Sequence, residues 1–283
     1  MATETSIFKS ELIFEQFVEK TYFRGFSVGY EFEEFRYEAL VELIFSAVLD
    51  FSLPESEKKS ITPVNAQRKM RNAAKAVYTS DKYSKRGEFG EILLHIIMRD
   101  YYNSIPAISK MYYKDGSNET VKGFDAVHIV PVEQELELWL GEVKFYNNMS
   151  NAIRDVIPEL VVHTEKKYLR NEFLFISNKI DPLWEYADKV KNLIDERTSL
   201  DKIFQRIRIP VLLTYDSEVV KSFKVMCNDY KNALINELNK HHETFRKKDI
   251  PKNVDIVLIL LPFEHKKVLV EKLHQKLKVW QQL

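Results

Sequence analysis

The chain has 283 residues, with 42 Lys or Arg against 42 Asp or Glu and a formal net charge of zero. That length supports one large domain or two small ones around a sizeable core, and the balance excludes binding of nucleic acid through bulk positive charge alone. The single cysteine, Cys227, excludes an internal disulfide and a Cys-x-x-Cys zinc site, and the 7 glycines form no Walker-type or Rossmann-type phosphate loop.

The N-terminus, Met-Ala-Thr-Glu-Thr-Ser, has neither the basic start nor the apolar core of a secretion signal. No run of about 18 apolar residues suggests a membrane span, so a cytoplasmic protein is expected, which a lone cysteine fits. Charge is uneven along the chain: residues 1–60 hold 12 acids and 6 Lys or Arg. Those acids read as solvated or as a place for a partner to dock. Residues 7–24 and 31–51 are rich in apolar and aromatic side chains. In the second run Phe35, Leu40, Leu43, Ile44 and Val48 have helical spacing, and Pro54 with the charged stretch 55–59 ends it. Residues 62–79 open on Thr62-Pro63 and read as a capped basic helix. Between residues 65 and 86, Arg68, Lys69, Arg71, Lys75, Lys82, Lys85 and Arg86 face one acid, Asp81. Such a stretch is either a solvated helix face or a track for a phosphate backbone. Residues 1–80 are therefore expected to be a mostly helical N-terminal region.

Residues 86–101 give a clearer helix. Phe89, Ile92, Leu93, Ile96 and Ile97 form one apolar stripe, while Glu88, Glu91 and His95 share another face at spacings of three and four. Gly90 costs helix propensity, and close approach to a strand or a substrate is its expected compensation. Ile108–Tyr113 reads as a strand and Asp115-Gly116-Ser117-Asn118 as a turn. Two further strands, Gly123–Val130 and Leu138–Tyr146, are joined by a polar turn around Glu133–Glu137. Asn147–Ser150 leads into a helix from about Asn151 that Pro158 bends. Ile209–Tyr215 and Val254–Leu261 suit buried strands, each followed by a helix. The order predicts an α/β core over residues 81–283, a mixed sheet between helical layers.

The chemistry concentrates on the two strands of that core. Side chains alternate along a strand, so Glu142 and Lys144 share a face, among neighbours that are nearly all apolar. Ionised groups in such a setting are costly unless paired or bound to a cation. Asp125 on one strand and Glu142 on the next offer oxygen ligands to Mg²⁺, and the backbone carbonyl of Val143 offers another. Lys144 stays on the metal side, where it can orient a water or neutralise developing charge. A fourth group is expected from the preceding helix. Glu91 is preferred because it adjoins Gly90 and the apolar run, and Glu88, one turn earlier and expected to be more exposed, is the alternative. Taken alone, Asp-x(16)-Glu-x-Lys arises often by chance, and Glu-x-Lys on a surface strand is ordinarily a solvated pair.

Other polar residues carry weaker signals. His128 has the opposite strand parity from Asp125 and is expected to be a packed core histidine. His241-His242 has no acid cluster beside it, which argues against a zinc site. His163, Lys166, Lys167 and Arg170 follow the active strand and are either solvated surface or contacts to phosphates. Tyr146 and Asn147 lie just past Lys144, where a substrate would pass.

Three segments together, Lys85–Leu94, Lys122–Ile129 and Leu138–Tyr146, resemble the PD-(D/E)xK nuclease superfamily. More narrowly they resemble the HamA family, nuclease subunits of the Hachiman anti-phage defence system, over most of the chain. The resemblance implies a restriction-endonuclease-like core and DNA cleavage dependent on Mg²⁺, with Mn²⁺ as the alternative. It implies Asp125, Glu142 and Lys144 as the motif residues with a helix glutamate completing the set. Phe124 stands where the superfamily often has proline. The narrower family implies a helicase partner, HamB, and a role in bacterial immunity. On this reading Arg68, Lys69, Arg71, Lys75, Lys85, Arg86, Lys166 and Lys167 are the expected DNA contacts. Restriction endonuclease, junction resolvase and RNase are rival tasks for the same site, and a noncatalytic adaptor with a degenerate nuclease fold is a rival of another class.

Overall fold

Strands rich in β-branched and aromatic residues pair into a seven-stranded mixed sheet in the computed structural model, which describes residues 12–18, 21–83, 86–108, 123–133 and 135–283. In chain order the elements begin with strands β1 (Leu12–Val18) and β2 (Thr21–Phe26) and a short ribbon of β3 (Tyr30–Glu31) and β4 (Glu34–Phe35). Helices α1 (Tyr37–Ser52), α2 (Glu55–Lys59), α3 (Ala66–Val77) and α4 (Glu88–Tyr102) follow. Next come β5 (Ile105–Ile108), β6 (Ala126–Val132) and β7 (Glu135–Lys144), then α5 (Met149–His163), α6 (Lys166–Lys179), α7 (Ala187–Leu193) and α8 (Leu200–Phe204). The chain ends with β8 (Ile207–Asp216), α9 (Glu218–Ser222), α10 (Asn228–Arg246), β9 (Asp255–Phe263) and α11 (Lys266–Gln282).

The sheet order is β1-β2-β9-β8-β7-β6-β5. From β2 to β7 neighbours run parallel, and β1, β6 and β5 attach antiparallel. The parallel strands are buried on both faces, as their unbroken apolar runs require. Register fixes the faces. Ala126 pairs with Gly141, and a Cβ on Gly141 would meet Leu94 of α4, so odd-numbered positions of β7 face α4. Glu142 and Lys144 therefore project from the other face, where α5 lies. Helices α1, α3 and α11 pack with α4 in one layer; α10 joins α5 in the other.

The expected mixed sheet between helical layers is present. Helices α1, α2 and α3 lie in the N-terminal region expected to be mostly helical, and ahead of them the chain also supplies β1 and β2 to the central sheet. The physical reason is tertiary: β2 satisfies its backbone along β9 from Thr21↔Ile256 to Gly25↔Leu260, and Phe23 and Phe26 are wholly buried there. The strand expected over 108–113 begins earlier, at Ile105. Its remainder and the turn expected at Asp115–Asn118 lie outside the described residues.

A buried polar chain ties the α4 layer together. Asp50 Oδ2 of α1 bonds His95 Nε2 of α4 at 2.8 Å, and His95 Nδ1 bonds His128 Nε2 of β6 at 3.1 Å. His128 Nδ1 ends on Ser104 Oγ at 2.8 Å. Burial pushes both imidazoles down, His128 furthest, so they serve as neutral hydrogen-bonding groups. The packed histidine expected at 128 is thus present, buried and fully partnered, facing away from the acids. At 242, the His ring stacks on Phe23 at 4.5 Å.

Gly90 shows the expected close approach. A Cβ there would sit 2.7 Å from Phe145 Cβ and 2.8 Å from Val143 Cγ1. Gly90→Ala is expected to push α4 off β7 and lower stability by about 1–3 kcal/mol. Urea unfolding measures this as a lower midpoint at unchanged slope; a midpoint equal to that of the unaltered chain would show that α4 is not tightly seated.

Candidate active site

Asp125 is pinned to β7 by both its backbone and its side chain. Its N–H donates to the Gly141 carbonyl at 2.8 Å, and Oδ2 accepts the Val143 N–H at 2.8 Å. That brings its carboxylate beside Glu142, which is 2% exposed, and onto the same side as Lys144.

Helix α5 meets these groups with a matched pair. Nδ1 of His163 hydrogen-bonds Oε1 of Glu142, and Nζ of Lys144 is ion-paired with Oε2 of Glu159. Four residues of helix advance about 6.0 Å and two of strand about 6.6 Å, so i,i+4 on α5 fits i,i+2 on β7. His163 is held in turn by rings: it stacks on Tyr168 at 4.3 Å and meets the edge of Phe124 at 5.1 Å. Phe124 thus supports the partner of Glu142. Just before it, Gly123 adopts φ +118°, and a Cβ there would lie 2.7 Å from a Glu172 carboxylate oxygen of α6.

Burial pushes the Glu142 carboxyl up, the His163 hydrogen bond opposes this and the Asp125 charge adds to it, leaving it at about 7. Burial pulls His163 down, but the hydrogen bond and charge of Glu142 outweigh it and the net direction is up. A desolvated Glu142 whose ionisation the neighbouring Asp125 charge opposes gives a pair of oxygen donors that a hard divalent cation relieves, so these residues fit Mg²⁺. Among the described residues no three His, Cys, Asp or Glu side chains cluster as a ready ligand shell. An ion here would complete its coordination with backbone oxygen, water and phosphate.

The helix glutamates differ from expectation in exposure. The first turn of α4 reaches the C-terminal end of β7 through Gly90. Glu88, expected to be the more exposed, is buried at 8%, whereas Glu91 is half-buried. The cause is Arg86, which donates to Glu88 Oε1 at 3.0 and 2.7 Å and lies 4.9 Å over the Tyr78 ring. Exposure therefore gives Glu91 no advantage, and both glutamates stand on α4, in the layer on the opposite face of the sheet from Glu142 and Lys144.

The basic residues divide between the two layers. Lys166 and Lys167 are exposed on the first turn of α6, directly after His163. Arg68, Lys69, Arg71 and Lys75 lie on α3, in the layer on the opposite face from Glu142. Of these, Lys69 is ion-paired with Glu57 and Arg71 donates to the Leu283 carbonyl at 3.1 Å, while Arg68 and Lys75 are exposed. Lys85 is outside the described residues. Arg170 donates to the carbonyls of Asp195 and Thr198 at 3.2 and 2.7 Å, a structural tie. Tyr146 hydrogen-bonds Asp155 of α5. Glu159, Tyr168 and Glu172 carry no motif; the i,i+4 spacing of Glu159 and His163 on the helix after the Glu-x-Lys strand was the available signal.

A protein-family model described as HamA matches residues 5–277. No curated protein matches the chain.

The two raised pKa values make folding take up protons as pH falls. Glu142 binds its proton more tightly in the folded than in the unfolded state, so stability present below pH 4.5 is lost as pH rises to about 7. Glu142→Gln cannot ionise. In EDTA, its stability relative to the unaltered chain is expected to rise between about pH 5 and pH 8, by up to about 3 kcal/mol. Denaturant unfolding at each pH measures the difference, and a flat difference would put Glu142 in a solvated setting.

Proposed function

The chain belongs to the HamA family, which implies a component of the Hachiman defence system, and from that premise we propose that it is the metal-dependent endodeoxyribonuclease of a prokaryotic anti-phage complex. The observation that carries this reading is the meeting of Asp125, Glu142 and Lys144 on one side of the sheet at the end of β7.

Asp125, Glu142 and the Val143 carbonyl would hold Mg²⁺, or Mn²⁺ in its place. Bound there, the ion supplies Lewis-acid stabilisation of the phosphate and a water of lowered pKa. His163 keeps the Glu142 carboxylate oriented, as partners of metal-binding carboxylates do. Lys144 would exchange Glu159 for the attacking water and the scissile phosphate, its ammonium neutralising charge as the water oxygen bonds to phosphorus and the bond to one sugar oxygen breaks, that oxygen leaving with a proton from solvent. Lys166 and Lys167, exposed on the first turn of α6 just after His163, would contact backbone phosphates. Arg68, Lys69, Arg71, Lys75, Lys85 and Arg86 would contact a more distant part of the same duplex.

The sequence carries no phosphate-loop motor motif, so surveying or unwinding DNA belongs to a separate subunit, the helicase HamB. Restraint by that subunit keeps the nuclease from host DNA. Among the described residues no helix is long and apolar enough to cross a membrane.

Cleavage of plasmid DNA is expected with Mg²⁺ or Mn²⁺ and to stop in EDTA, with the chain alone slower than the chain with its helicase. Lys144→Ala should lower the rate by about 10²–10³-fold. Cleavage of RNA instead, or cuts at one fixed sequence, would move the assignment to the rival nucleases. Phage protection surviving Glu142→Ala with Lys144→Ala in an assembled complex would leave the adaptor reading. His163→Ala should weaken Mn²⁺ binding about 10–100-fold by calorimetry, with the fold intact by circular dichroism; unchanged affinity removes His163 from the site.

A further inference from the structure

The β3–β4 ribbon is locally costly in three ways. Tyr30 pairs with Phe35 and Glu31 with Glu34, leaving a two-residue turn of Phe32 (φ 49°) and Glu33 (φ 63°). Both are left-handed, in a turn that Asn and Gly normally occupy. Glu31 and Glu34 set like charges opposite each other across the ribbon. Phe32 is 92% exposed.

The base of the ribbon is fixed while its tip is bare. Phe35 is buried, and the Tyr30 ring meets the edges of Phe35 and Tyr230 at 6.3 and 5.4 Å. The Tyr30 hydroxyl donates to the Val220 carbonyl, and the Arg36 N–H donates to the Gly29 carbonyl at 3.2 Å. Phe32 is thus presented rigidly, flanked by the exposed carboxylates of Glu31, Glu33 and Glu34.

None of these features helps the chain fold, and together they specify what covers the tip. A preorganised aromatic side chain loses little entropy on docking and is the usual anchor of a protein interface. Three carboxylates around it repel a phosphate backbone and select a cationic rim. We propose that the β3–β4 tip is a docking knob, with Phe32 entering an apolar pocket lined by lysine and arginine on a partner protein. This rests on the reading above that the chain works in a complex with a helicase subunit, and it names the contact.

The test uses the full chain and the helicase subunit, with affinity and melting temperature measured in parallel. Phe32→Asn keeps a residue suited to the left-handed turn. It should raise the melting temperature by about 2–4 °C and weaken the complex about 30-fold or more. Phe32→Trp should retain affinity. Glu31→Lys with Glu33→Lys should weaken the complex and remove its loss of affinity with added salt. Unchanged affinity of Phe32→Asn, in a complex that the unaltered chain forms, overturns the knob and leaves the complex standing. No association of the unaltered chain with the helicase overturns both. A dimer of the chain alone that Phe32→Asn dissolves assigns the pocket to a second copy and overturns the proposal as stated.

Discussion

Two carboxylates and an ammonium on adjacent, nearly dry strands must be neutralised, and the layer carrying α5 is organised around that requirement. Isolated, each group would cost several kcal/mol in such a setting. The chain supplies counter-groups from one helix: His163 for Glu142 and Glu159 for Lys144. The fit depends on the near-equality of one helical turn and two strand residues, so α5 can lie in few places along β7. Asn148 fixes where that helix starts, its side chain accepting the Asn151 N–H at 2.9 Å. The position of the active-side helix is thus set by charge as much as by its apolar stripe of Ala152, Ile153, Val156 and Leu160.

The opposite face solves a different problem. There the buried His95, His128 and Ser104 and the half-buried Asp50 satisfy one another in a chain from α1 through α4 to β6. A fully partnered network of this kind rigidifies a core and specifies its register. Its effect on the other side is indirect. It holds β6 against α4, and β6 begins one residue after Asp125, so the acid stands directly at the start of the strand that carries the network. Gly90 does the same for β7, letting α4 sit against Val143 and Phe145 beside the lysine.

Period-two alternation made Glu142 and Lys144 legible as neighbours on one face, and the same parity correctly turned His128 away. The unbroken apolar runs at β8 and β9 declared buried strands, and the apolar stripe of α4 declared its helix. Three things were not legible. The β1–β2 hairpin reads locally as part of an apolar, aromatic segment, and it becomes sheet because β9, more than 200 residues later, offers it an edge. The relative burial of Glu88 and Glu91 depends on Arg86 folding back over Tyr78, a contact that helix periodicity does not encode. The pairing of Glu159 with Lys144 depends on the angle at which α5 leaves the strand, which spacing within either element cannot give.

The two counter-groups are not equivalent, and the difference separates a fixed part of the site from a movable one. His163 is mostly buried against Glu142, which is 2% exposed, and is clasped by Tyr168 and Phe124. Removing it would leave a buried carboxylate without its partner, so this contact persists. Glu159 is 42% exposed, and an ion pair with one partner in water is worth on the order of 1 kcal/mol. A phosphate diester, carrying its own negative charge, can replace Glu159 at Lys144 with little loss. Glu142 is therefore held in one orientation, while Lys144 is free to exchange Glu159 for another anion. On the proposed function, the carboxylates would be the fixed part of the site and the lysine the part that answers to substrate.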